Sequence, residues 1–206
     1  YGNYMRAKTK PVNPNSAQQT IVRSAMTNLA IMWASTLTAA QRIAWNTYAA
    51  SVAMRNRLGE VIYMTGFNHF VRSNANLARL GLTLVLDGPT ALALPEKDTT
   101  LAVTGSAATN NLTVTFDNTQ PWANEADGHL LIKMGVPQNA TRNFFAGPWK
   151  YAGRVNGNAT TPPTSPATIA APMTLVEGQK IWIEARVQRA DGRLSEPFRA
   201  SVILSA

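Results

Sequence analysis

Cysteine is absent from the 206 residues, so a disulfide framework, a thiolate nucleophile and a cysteine-ligated metal are all excluded, and stability must come from packing. Histidine is nearly as scarce, with only His69 and His129. A zinc shell would need carboxylates that the sequence does not cluster, so no metal is expected. Charge is thin as well: 15% of the residues are charged against 45% hydrophobic, which separates the chain from solvated polyampholytes and leaves Asn, Thr, Ser and Gln to cover the surface. No apolar run approaches the roughly 20 residues of a membrane span and no signal peptide is recognisable, so a soluble chain with no membrane partner is expected. The first residue is Tyr1 rather than Met, which leads us to expect that an initiator or short leader has been removed or left out of the numbering. Missing too are the Gly-x-Ser-x-Gly nucleophile elbow and both glycine-rich phosphate cradles, so no cofactor and no small-molecule substrate are expected.

What charge there is leans one way. The formal net charge is +8 and the pI is about 10.2. Through residue 90 nine basic residues face only Glu60 and Asp87, whereas beyond it ten face nine. An anionic or acidic partner is therefore to be sought in the first part of the chain.

The pattern divides at the same place. Residues 1–15 carry Arg6, Lys8, Lys10, Pro11 and Pro14 with no apolar periodicity, which predicts an extended arm that orders only against something else. From Ser16, a candidate N-cap, Ile21, Val22, Ala25, Leu29, Met32 and Trp33 recur at helical spacing. A second helix is expected after Thr38, with Ile43, Ala44, Tyr48 and Val52 on one side. Trp33, Trp45 and Tyr48 are expected to form the hub between these helices, as core rather than as a stacking platform. A turn at Leu58-Gly59 predicts a small hairpin. Thr65 then caps a third helix, with Phe67, Phe70, Val71, Asn74, Leu77 and Ala78 on one face and Gly81 at its left-handed end. His69 is expected on the surface of that helix or half buried. Residues 82–98 connect the two modules. Beyond them, six or seven short strands at Leu101–Thr104, Leu112–Phe116, Leu130–Met134, Trp149–Val155, Ile181–Val187 and Phe198–Leu204 predict an antiparallel sandwich. Its core tryptophan would be Trp122, Trp149 or Trp182, and Thr160–Pro172 would be a loop or an edge segment.

Two resemblances attach to these residues. The runs Lys10–Gln19, Leu37–Asn46 and Thr65–Asn74, within about 80 residues, resemble a family of small proteins encoded in tailed-phage and prophage genomes. That likeness implies a virion or phage-assembly context and supplies no catalytic residues. Ile181–Val187 followed by Ala190–Pro197 is similar to the final hairpin of fibronectin type III and related Ig-like modules. Lacking a cysteine pair, the domain cannot be of the antibody type.

The fold class expected is thus α+β: an extended basic arm (1–15), a three-helix module (16–81), a linker (82–98) and an antiparallel Ig-like or fibronectin III-like β-sandwich (99–206). The function expected is non-enzymatic, a phage virion structural protein such as a capsid decoration or cement protein, with phage capsid or tail proteins and copies of itself as partners. Arg6, Lys8, Lys10, Pro11 and Pro14 would anchor it, and Arg23, Arg42, Arg55, Arg57, Arg72 and Arg79 would form a docking patch for an acidic protein or a polyanion. Alternatives stay open. The same basic residues could face nucleic acid in a head-completion or packaging accessory, with His69, Arg72, Ser73 and Asn76 on a reading helix, or the protein could belong to the tail. An enzyme acting on polysaccharide would need Glu125 and Asp127, an acidic pair two positions apart in a loop rich in Asn and Gly.

Overall fold

The computed structural model describes residues 10, 12–56 and 58–204. Its first helix, α1 (Ala17–Ile31), begins at a capping box: Ser16 Oγ accepts from the Gln19 amide, and the Gln19 side chain accepts from the Ser16 amide. A π-helical turn, Met32–Thr36, follows. Helix α2 (Ala39–Ser51) repeats the box with Thr38 and Gln41, and α3 (Gly66–Leu80) is capped by Thr65 and ended by Gly81 at φ 66. The Leu82 amide bonds the Leu77 carbonyl across that glycine, closing a Schellman end. Between α2 and α3 lies a hairpin of β1 (Ala53–Arg55) and β2 (Val61–Tyr63). Every cap expected from the sequence is in place.

Two faces differ from expectation. Phe70 of α3, rather than the α1–α2 contact, is the hub: Trp33 and Trp45 reach its ring at 5.6 and 5.8 Å. Because α1 packs on α3, only Ala25 and Leu29 of that helix are buried, while Ile21 and Val22 remain 42% and 44% exposed. On α2, Ile43 is 64% exposed, and Trp45, Tyr48 and Ala49 take the interior. His69 is fully buried, neither on the surface nor half buried, because its ring lies edge-on to Tyr48 at 5.0 Å on the covered side of α3.

Residues 82–98 contain no strand, yet they are strapped to the helices. Asn74 clamps Val85 from both sides, its Oδ1 accepting from the amide at 2.8 Å and its Nδ2 donating to the carbonyl at 2.9 Å. Trp45 Nε1 donates to the Leu86 carbonyl. Leu84, Leu86 and Leu94 pack on the helical core, and a Cβ on Gly88 would meet the backbone of Ala44 and Trp45 at 2.6 Å.

The second half is an Ig-like sandwich. One sheet orders β3 (Ala102–Ser106), β4 (Asn111–Thr115) and β8 (Ala167–Ala170). The other orders β10 (Phe198–Ile203), β9 (Gln179–Gln188), β5 (His129–Gly135) and β7 (Trp149–Asn156), all antiparallel. The two-residue β6 (Gln138–Asn139) pairs with the start of β9 just beyond Pro137. Strand β8 falls inside the proline-rich stretch and sits at a sheet edge, where missing amides do no harm. Leu112, Val114, Leu130, Ile132, Met134, Ile181 and Ile183 fill the space between the sheets. Trp122, in the 3₁₀ turn Pro121–Asn124, joins them 5.6 Å from Phe116.

Although β9 alternates as an amphipathic strand should, it is covered on both faces. Its outward Glu184 and Gln188 are buried: Glu184 pairs with Lys133 and Arg199 of the neighbouring strands, and Gln188 meets the helical module. Gln188 Nε2 donates to the Ser73 carbonyl at 2.7 Å, and the Arg72 guanidinium donates to the carbonyls of Leu194 and Ser195 at 2.5 and 2.8 Å. Arg79 stacks over Tyr151 of β7 at 5.2 Å.

Candidate functional site

The residues expected to anchor or dock fall into several local roles. Arg6, Lys8, Pro11 and Arg57 lie outside the described residues. Lys10 and Pro14 are exposed. Arg23 donates to the Asn13 and Asn15 side chains, tying the stem of the arm to α1. Arg42 closes the π turn through the carbonyls of Trp33 and Leu37, and Arg55 closes the hairpin through that of Gly59. Arg72 and Arg79 both face the sandwich. Burial and then the neighbouring Arg186 bring the Arg72 pKa down to about 10, a sign of how far it is withdrawn from water. Both Arg55 and Arg72 act on the charge of Glu196, whose pKa is lowered chiefly by its bond to Lys97 and further by both arginines. The spacing of basic residues gave no hint that Arg42 and Arg72 would be engaged by carbonyls, because those partners are fixed by tertiary packing.

A polar cluster is sealed between α2, α3 and β9. Tyr48, His69, Ser73 and Gln188 are at most 1% exposed, and the Tyr48 hydroxyl, both His69 nitrogens, Ser73 Oγ and Gln188 Oε1 lack partners among the described residues. Burial pushes the Tyr48 pKa up to about 12. Burial, helped by Arg72, brings that of His69 down to about 4. Both groups are therefore neutral at pH 7, and nothing in this sealed cluster is open to a substrate.

Of the acidic pair, Glu125 is gripped by Arg189. Arg189 Nε donates to both carboxylate oxygens at 2.8 and 2.9 Å, its Nη2 also donates to Oε1, and the Ala190 amide donates to Oε2. Burial pushes the Glu125 pKa up, but these bonds outweigh it and hold the carboxylate below its usual range. That geometry fixes a turn and keeps the Glu125 carboxylate ionised. Among the described residues no three His, Asp or Glu side chains converge to hold a metal, and no helix is long and apolar enough to cross a membrane.

What remains open is surface. Ten of the fifteen large apolar residues exposed among the described ones lie between Val12 and Tyr63, so the first module displays more of the unpartnered apolar area than the sandwich. Beside α1 runs a groove of about 560 Å³ lined by Ile21, Leu29, Met32, Leu82 and Leu84. On the hairpin, Val61, Ile62 and Tyr63 are all exposed. A cleft of about 440 Å³ opens between the Leu82–Asp87 strap and the turn before β5.

No protein-family model and no curated protein matches the chain. Among solved structures it is similar to an Fn3-like protein from Clostridium thermocellum, at 13% identity and a TM-score of 0.34, over 54% of this chain and 95% of that one. It is also similar to the adhesin domain of Epf from Streptococcus pyogenes, at 12% identity and a TM-score of 0.32, over 55% of this chain and 33% of that one.

Proposed function

We propose that the chain is a non-enzymatic structural protein of a phage particle, a decoration or cement protein that docks through its arm, helices and hairpin and displays the sandwich. The observation that carries this reading is the uneven apolar surface: Ile21, Val22, Met26 and Ile31 on α1 and Val61 to Tyr63 on the hairpin stand in water. Each gains on the order of 1 kcal/mol when a partner completes its burial. Glu60 is the only acidic residue before Asp87, so the surface suits an apolar partner rimmed with carboxylates. The phage context comes from the likeness of residues 10–74 to a tailed-phage family, and the sandwich contributes a rigid displayed module.

The test is incorporation into particles purified from the source. Ile21→Asp with Tyr63→Asp should remove the protein from the particle, whereas Val176→Asp, on an exposed sandwich residue, should leave occupancy unchanged. Full occupancy by the double variant would overturn the docking surface. Absence of the wild-type chain from particles would overturn the structural role, and salt-steep DNA binding would then favour the packaging alternative.

A further inference from the structure

The cleft beside the strap differs in chemistry from the rest of the first module. Asp87, on the strap, and Asp127, in the turn before β5, both line it and are exposed. Neither forms an ion pair among the described residues, in a chain of net charge +8. Gln41 Nε2 holds one oxygen of Asp87 at 3.0 Å, leaving the other available. Arg189, the one cation in the lining, is neutralised by Glu125. A third polar group lines the cleft: His129 is only 5% exposed, and its Nδ1 meets no partner. Burial and then Arg154 lower its pKa, so the imidazole is uncharged at pH 7 and does not repel a cation. The volume, about 440 Å³, is that of a ligand cleft.

The chain carries a segment of matching chemistry. Arg6, Lys8 and Lys10 alternate with Ala7 and Thr9, and in an extended strand alternate residues share a side at a spacing of about 6.6 Å. We propose that the cleft receives this basic segment from a second copy of the chain, with Asp87 and Asp127 pairing its cationic side chains. The inference rests on the reading of the protein as one that assembles on a particle, and it names the contact between neighbouring copies. Leu82 and Leu84 line both this cleft and the apolar groove beside α1, so a copy entering the cleft would also lie over that groove. Exchange of charged segments offsets the repulsion between two strongly basic molecules.

Because the chain has no cysteine, a thiol pair reports the contact directly. A full-length Thr9→Cys chain mixed with a Thr83→Cys chain and oxidised with diamide should give a cross-linked heterodimer. Adding Asp87→Asn and Asp127→Asn to the second chain should cut its yield about tenfold, the effect of roughly 1.4 kcal/mol. Raising the salt to about 1 M, where charges are screened beyond roughly 3 Å, should do the same. No heterodimer, or one indifferent to the aspartate changes, overturns the proposal. So does exclusive cross-linking within single Thr9→Cys/Thr83→Cys chains, which would place the segment in its own cleft. All of this is read in solution, without particles. Failure here with normal incorporation of the chain leaves the structural role standing, and success with no incorporation removes that role alone.

Discussion

At the scale of single residues, buried groups decide stability. Arg72 spans the junction with two charge-assisted bonds to carbonyls more than a hundred positions away. Arg72→Met keeps the length of the side chain but strands both acceptors, so we expect a loss of about 3 kcal/mol in urea unfolding. Arg79→Met, which removes only a stacking contact with Tyr151, should cost under about 1 kcal/mol. His69 gives a pH signature. Its folded pKa is about 4 against an ordinary 6.5, so as pH falls from 6.5 the unfolded chain takes up this proton first. Stability from the neutral imidazole is complete above pH 6.5 and is lost progressively towards pH 4, by roughly 3 kcal/mol. His129 is shifted in the same direction, so the wild-type slope contains both. The difference between wild type and His69→Gln, from urea midpoints at pH 7 and pH 4.5, isolates the buried ring; equal slopes would show that His69 is not sealed.

At the scale of elements, the strap carries the most instructive contacts. Asn74→Ala removes both bonds to Val85 and one to the Phe70 carbonyl, and should cost about 2–3 kcal/mol. Gly88→Ala places a methyl within 2.6 Å of the α2 backbone, so the strap must lift. Trp45, whose indole N–H bonds Leu86, should then become more accessible to a fluorescence quencher while the sandwich stays folded. The elements themselves were legible because their signals are local. Ser16, Thr38 and Thr65 announce helix starts, Gly81 a helix end, and the alternation of Ile181–Val187 a strand. Which face each element buries was less legible, because the partner decides it. Ile21, Val22 and Ile43 have helical spacing yet face water, while His69, polar by type, is sealed in. The candidate site divides in the same way. Low acidity in the first module was visible as composition, whereas the internal use of Arg42 and Arg72 depends on carbonyls that only the fold brings near.

At the scale of the whole molecule, the helical module and the sandwich meet at a junction of buried polar contacts. The outer side of β9 buries Gln188 against the Ser73 carbonyl of α3, and Arg72 of the same helix holds the carbonyls of Leu194 and Ser195. Arg193 also bonds the Ala93 carbonyl in the strap. A Cβ on Gly192, in the turn after β9, would lie 3.4 Å from the Trp45 ring, so the first module's core and this turn are in close contact. Severing the chain at residue 98 would expose a strip of outer sheet and leave Gln188 without its partner. It would also remove the strap whose Lys97 pairs with Glu196 and whose Asp98 accepts from Thr100 and Asp117 at the start of the sandwich. We therefore expect the intact chain to melt in a single calorimetric transition with van't Hoff and calorimetric enthalpies equal. The isolated 99–206 fragment should melt well below it, or aggregate through the uncovered sheet. Arg72→Met should lower the single transition of the intact chain without splitting it. Two separate transitions in the wild type, one coinciding with that of the fragment, would mean that the junction contributes little and that the modules fold alone.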